Sequence, residues 1–206
     1  MKTLLRIDAS IRKQGSHSRA LSDFFEENWK KANPMGKVIY RDLVQNHIPH
    51  LQNNTVEAFH KTEQNLTKED KQYLALSNQL IAELKSVDEL LISTPLYNLN
   101  VPSTLKAYFD HITRSGHTFK VSDDGSYMGL VNLGAVYLIT TKGETYKGTP
   151  MEALDFQEPY LKSICGFLGL GINATFSLEG TAHSDLLEKN IAIQKTQIKN
   201  TFKIES

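Results

Sequence analysis

Short apolar runs alternate along this chain with longer segments whose apolar residues recur every three to four positions. A fully buried strand produces the first pattern and a one-sided helix the second. The runs KTLLRID, KVIYRDL, DELLIST, GAVYLIT and INATFSLE predict strands over 2–8, 37–43, 88–94, 134–140 and 172–179. Between and after them the periodic segments predict helices over 19–31, 68–85, 104–114, 156–168 and 184–202. In the third helix Leu105, Tyr108, Phe109 and Ile112 share one face, and Pro102 stands near its first turn, where a missing N–H costs nothing. Strand–helix alternation of this kind predicts an α/β fold, a five-stranded doubly wound parallel sheet with helices on both faces.

Two segments break the alternation. Residues 45–64 are polar and weakly periodic and read as a long excursion after the second strand. Residues 116–129, GHTFKVSDDGSYMG, contain a β-like run and then Asp124-Gly125, a strong hairpin signal, and could hang over a site as a lid. With no repeat, low-complexity run or composition break, residues 1–206 read as a single domain.

Charge narrows the partners. Lys plus Arg and Asp plus Glu number 23 each, so no overall basic footprint points to nucleic acid or an anionic membrane. Arg6 and Asp8 interrupt the N-terminal apolar run, and no segment reaches the roughly 18 apolar residues of a membrane span. A cytoplasmic protein is expected, and the single Cys165, on an apolar helix face, reads as a buried inert thiol.

In open α/β sheets ligands bind beyond the carboxyl ends of the strands. Three segments there carry candidate chemistry. After the first strand, Ser10, Ser16, His17 and Ser18 lead into a helix whose N-terminal N–H groups and dipole favour a phosphate, although Ser16 or Ser18 could equally be an ordinary cap. After the third come Pro95, Leu96, Tyr97, Asn98 and Leu99, suited to holding a planar ring or simply to turning a strand into a helix. After the fourth come Thr141, Lys142, Gly143 and Glu144, with a glycine for close backbone approach or a tight turn. Their convergence at one sheet edge favours a ligand. Gly169-Leu170-Gly171-Ile172-Asn173-Ala174 matches G-x-G-x-x-A but follows a helix and enters a strand, the reverse of a dinucleotide site, so it reads as a helix-ending turn. His47-Ile48-Pro49-His50 reads as a plain loop, without acidic or thiol partners nearby.

In order and spacing, the serine turn, PLYNLNVPSTLKAYFDHITRSGHTFK, ITTKGETYKGTP and PYLKSICGFLGL resemble the FMN-dependent NADH-azoreductases, which also act as NAD(P)H:quinone oxidoreductases. The resemblance covers nearly the whole chain and implies a flavodoxin-like sheet of order 2-1-3-4-5, bound FMN, NADH or NADPH as co-substrate, quinone and azo substrates, and a homodimer with FMN near the interface. It implies that Ser10 and Ser16-His17-Ser18 hold the FMN phosphate, that Leu96 to Leu99 line the flavin ring, and that Phe119 borders the substrate space. Where the family has Ser-Arg-Gly-Gly this chain has Thr141-Lys142-Gly143-Glu144, with Glu144 expected to face solvent, and Ile164 is expected to form part of the pocket wall. The rival readings are a flavodoxin-like one-electron carrier and a flavin-free phosphate-ester hydrolase, the latter lacking an evident cluster around Asp8.

Overall fold

The computed structural model describes residues 1–203. Five parallel strands, β1 (Thr3–Asp8), β2 (Lys37–Asp42), β3 (Glu89–Pro95), β6 (Ala135–Thr141) and β7 (Ile172–Leu178), form one sheet in the order β2-β1-β3-β6-β7. This is the expected 2-1-3-4-5 arrangement. A separate antiparallel hairpin, β4 (Phe119–Val121) with β5 (Tyr127–Gly129), turns through Asp124-Gly125 as its sequence predicts.

The central strands β3 and β6 are buried along their whole length, which is why they read as continuous apolar runs rather than alternating ones. Their side chains alternate between two cores. On one face Leu5, Ile7, Leu90, Ile92 and Leu138 pack against helices α3 (Lys68–Lys85), α4 (Ser103–Ile112) and α5 (Gln157–Leu168). On the other Leu4, Leu91, Tyr137, Ile139 and Phe176 pack against α1 (His17–Ala32) and α6 (Ser184–Thr201). Trp29, fully buried in the second core, donates its indole N–H to Glu89 at 2.7 Å, so the one polar atom of that ring is satisfied.

Residues 45–64 are more ordered than their composition predicts. They contain α2 (Asn53–Phe59) and a short 3-10 turn over Glu63–Asn65. At seven residues α2 is too short to stand on propensity alone, and packing against α3 holds it; its buried Thr55 and Ala58 face inward. The His111 ring Nε2 lies 2.9 Å from the Pro49 carbonyl and ties the excursion to α4.

The hairpin is anchored by backbone rather than by a hinge. A Cβ placed on Gly129 would lie 2.0 Å from the Gly169 nitrogen, and Gly169 itself adopts φ +89° to end α5. The G-x-G-x-x-A segment is therefore a helix-ending turn, with the Leu170 N–H donating to the Cys165 carbonyl. Helix α4 runs back along the sheet from the end of β3, and the hairpin then leads into the start of β6. The hairpin accordingly stands at the amino end of the strands, away from the loops that leave their carboxyl ends.

Candidate active site

Strand register assembles the three predicted segments. Asp8 pairs in register with Ser93, Pro95 with Thr141, and Thr141 with Leu178, so the loops after β1, β3 and β6 emerge side by side.

The turn after β1 brings three hydroxyls together at the start of α1. Ser16 Oγ lies 3.0 Å from Ser10 Oγ and 3.2 Å from Ser18 Oγ, all three residues being buried. Ser16 is also the N-cap and accepts from the Arg19 N–H, so capping and cradle coexist in one side chain. His17, half-buried, is the first helical residue. Three hydroxyl donors beside the first unpaired N–H groups of a 16-residue helix fit a phosphate dianion, since every group there can donate and none is anionic.

Beneath this turn lies a network the sequence did not disclose. Arg19 donates from Nη2 to the Ser10 carbonyl at 2.7 Å, and both its terminal nitrogens reach the Asp42 carboxylate, at 2.8 and 3.0 Å. The end of β2 thus braces the serine turn. Arg6 in turn bonds Asp8 and Glu26 at 3.0 Å each. Burial raises the Asp8 pKa against the pull of Arg6 and Arg19, which both pair with its Oδ2, while the buried Oδ1 has no hydrogen-bond partner among the described residues. The signals were present, an Arg directly after the serines and an Asp ending the second strand, but their meeting depends on register.

The loop after β3 is stiff for a visible reason. Tyr97 and Asn100 exchange backbone hydrogen bonds at 2.8 and 3.0 Å around Asn98 and Leu99, both in the left-handed region at φ 47° and 71°. Both central residues of the turn therefore have positive φ, a conformation that Asn tolerates and Leu does not favour. Strain of this kind, about 1–3 kcal/mol per residue, persists where surroundings over-determine it and clusters at ligand sites. The Leu96 N–H is spent on the Thr141 carbonyl, and the Leu99 carbonyl accepts from Phe156. Tyr97 Oη comes within 3.5 Å of Ser10 Oγ, the outer limit of a hydrogen bond, so the tyrosine abuts the serine turn.

Tyr97 and Asn98 line a cavity of about 600 Å³ together with Ile11, Pro102, Ser103 and Tyr160. Its size and mixed lining suit a small aromatic molecule. Ile11 and Tyr160 were missed: Ile11 is an exposed residue in a polar turn, and Tyr160 looks in sequence like one more core residue of α5.

The third segment behaves differently. The Lys142 side chain is only 2% exposed and turns into the protein, where its ammonium meets Asp155 at 2.7 Å, Glu158 at 2.9 Å and Glu179 at 3.1 Å. Burial alone would lower the Lys142 pKa, and the bonds to Asp155 and Glu158 outweigh it and raise it. Burial alone would raise that of Glu158, and Ser177 and Lys142 bring it down to about 2. The Lys142 backbone is also occupied, its N–H by the Leu178 carbonyl and its carbonyl by Thr181. Its side chain is therefore turned into an internal ion cluster. Thr141 is buried within the sheet, Gly143 is exposed, and Glu144 faces solvent as expected, bonded to His183 at 2.7 Å.

Phe119 and Ile164 do not join these residues within the chain. Phe119 packs against Phe167 of α5, ring centroids 4.7 Å apart. Ile164 packs half-buried against the core beneath α3, α4 and α5. Cys165 beside it is fully buried, its thiol pushed up to about 12 by burial, in keeping with an inert core thiol.

The description of a flavodoxin-like fold matches residues 1–202. The chain belongs to that family. Among curated relatives of this flavodoxin-like chain, an FMN-dependent NADH:quinone oxidoreductase of Marinomonas sp. (strain MWYL1) is 41% identical over 198 residues, covering 96% of this chain and 98% of its own. One of the same description from Hydrogenovibrio crunogenus is 39% identical over 201 residues, 97% of this chain and 99% of that one. Among solved structures, an azoreductase from Bacillus anthracis str. Sterne superposes with a TM-score of 0.89 at 25% identity, over 98% of this chain and 99% of that chain. Among the described residues no helix is long and apolar enough to cross a membrane.

Proposed function

We propose that this flavodoxin-like chain is an FMN-dependent NADH:quinone oxidoreductase that also reduces azo compounds. The observation that carries the reading is the meeting of three serine hydroxyls at the start of α1 with the strained Tyr97–Asn98–Leu99 turn, beside a cavity of about 600 Å³. The names of relatives near 40% identity over nearly the full chain support it. When bound, FMN supplies acceptance of a hydride from NADH and two-electron delivery to a quinone or azo acceptor.

The chain's own residues do the rest. Ser10, Ser16 and Ser18 donate to the FMN phosphate, and the α1 N-terminus, opened by His17, adds its partial positive charge. Pro95, Leu96, Tyr97, Asn98 and Leu99 support the ring, their backbone fixed in advance so that little ordering cost remains on binding. Thr141, Gly143 and the backbone near Lys142 and Glu144 would help to hold it, while the Lys142 side chain holds that loop through Glu179, which accepts from the Tyr146 and Lys147 N–H groups. No side chain here is assigned as acid or base.

NADH or NADPH and the acceptor use one cavity in turn, which predicts ping-pong kinetics. The protein is a cytoplasmic homodimer, with residues 1–206 as one domain and no nucleic-acid or membrane partner. Because Phe119 stands at the amino end of its own sheet, it borders substrate in the site of the second copy; Ile164 forms a wall of that same space. In steady-state assays of the FMN-loaded protein, varying NADH at several quinone concentrations gives parallel double-reciprocal lines. Intersecting lines contradict sequential use of one cavity, and an absence of NADH consumption contradicts the reductase.

A further inference from the structure

Four of the five arginines are buried or half-buried, and one of these differs in kind. Arg6, Arg19 and Arg41 each pair with a carboxylate, at 3.0, 2.8 and 2.7 Å. Arg114 is as buried, at 7% exposure, yet among the described residues it has no carboxylate partner. Buried charges are ordinarily paired, because leaving water uncompensated is costly.

Its surroundings are neutral acceptors and a ring. Nη1 donates to Ser77 Oγ at 3.1 Å and Asn78 Oδ1 at 2.6 Å, and Nη2 lies 3.2 Å from His117 Nε2. The Phe59 ring covers the guanidinium face at 4.9 Å. Of the five N–H donors of a guanidinium, Nε–H and one on Nη2 remain without a protein acceptor. The group is held in place but not neutralised.

Arg114 forms the floor of a surface groove of about 510 Å³ that Lys71, Lys85 and His117 also line, with Glu63 the one carboxylate among the lining residues. Two ammonium groups and a fixed guanidinium against one carboxylate make a site for an anion, in a protein whose overall charges balance. The groove lies at the end of α4 away from the Tyr97 turn, about 15 Å along a ten-residue helix, so the serine cradle and this groove are separate.

We propose that the Arg114 groove is a second anion site, which takes a phosphoryl group, either free phosphate or a small phosphomonoester. Arg114 contacts the phosphoryl oxygens from below, and Lys71 and Lys85 close on it from α3. Burial, with Arg114 and Lys85 nearby, lowers the His117 pKa, which leaves its ring neutral to accept from Arg114. The site binds no atom of the flavin and does not depend on the reductase reading.

The test is calorimetric titration of FMN-loaded protein, whose serine cradle is already filled, with inorganic phosphate and separately with phenyl phosphate. Sodium chloride at matched ionic strength is the control. One saturable site is expected, weakened at least tenfold by Lys71→Glu with Lys85→Glu and by Arg114→Gln. Both lysines are exposed, so the double charge reversal folds and retains FMN even if Arg114→Gln does not. Tighter phosphate binding assigns the free ion and tighter phenyl phosphate binding the ester. No saturable heat above the chloride control, or binding that survives the double reversal within twofold, overturns the proposal.

Discussion

The loops after β3 and β6 leave the sheet as neighbours, joined in register at Pro95 and Thr141, and their sequences promise similar chemistry. Their structures differ. The first keeps the Tyr97 ring and the Asn98 amide at a cavity and stores backbone strain at Asn98 and Leu99. The second spends the Lys142 ammonium inside the protein on three carboxylates and its Lys142 backbone on β7 and Thr181. A loop at a ligand-bearing sheet edge is a binding loop only if its polar groups remain unspent. The Tyr97 loop presents unspent groups at a cavity, and the Lys142 side chain fixes the loop beside it.

Removing Lys142 gives the largest effect. Lys142→Met leaves Asp155, Glu158 and Glu179 buried together without their cation, and unfolding by urea shows a loss of about 3–5 kcal/mol. The pH profile sharpens the point. Because the Glu158 carboxyl is lowered from 4.5 to about 2, its contribution is present above the ordinary carboxylate range and fades as pH falls toward 2. In the variant that pull is lost, and the acid unfolding midpoint moves to higher pH. An unmoved midpoint would show that the cluster does not hold the loop.

Changes on the ligand side follow. Ser16→Asp sets a carboxylate against the phosphate at the serine cradle and weakens FMN binding by about 100-fold, roughly 2.7 kcal/mol, read by fluorescence titration. Retention of FMN at wild-type affinity would move the phosphate elsewhere. Tyr97→Leu removes the ring but leaves the turn, weakening FMN by about tenfold, in line with about 0.5–1.5 kcal/mol for an aromatic contact. The smallest effect belongs to His183→Ala. This exposed pair with Glu144 raises the His183 pKa, so its contribution holds at low pH and is lost as pH rises through that raised value. Turnover changes less than twofold, and a larger loss would bring Glu144 into the site.

How much of this was legible follows from the physics of each part. The five strands and the helices over α1, α3, α4, α5 and α6 were readable because burial imposes period two, period 3.6 or a continuous apolar run, and these survive in one dimension. Helix α2 was not, since its polar surface leaves only Thr55 and Ala58 to face inward. The serines and the Tyr97 turn were legible through residue type and place. The direction of Lys142, the brace from Arg19 to Asp42 and the unpaired Arg114 were not, because each depends on which side chains meet across the fold. The position of the hairpin was lost for the same reason: its turn is local, whereas the end of the sheet it occupies follows from the course of α4.

The central claim is that the serine cradle and the Tyr97 turn hold FMN for hydride transfer. The visible spectrum of the FMN-reconstituted protein, recorded without oxygen as NADH and then a quinone are added, tests it most directly. The account predicts flavin absorbance that is retained through gel filtration, bleaches with NADH and returns with the quinone. Protein that emerges without flavin, or bound flavin that NADH leaves unbleached, would contradict it.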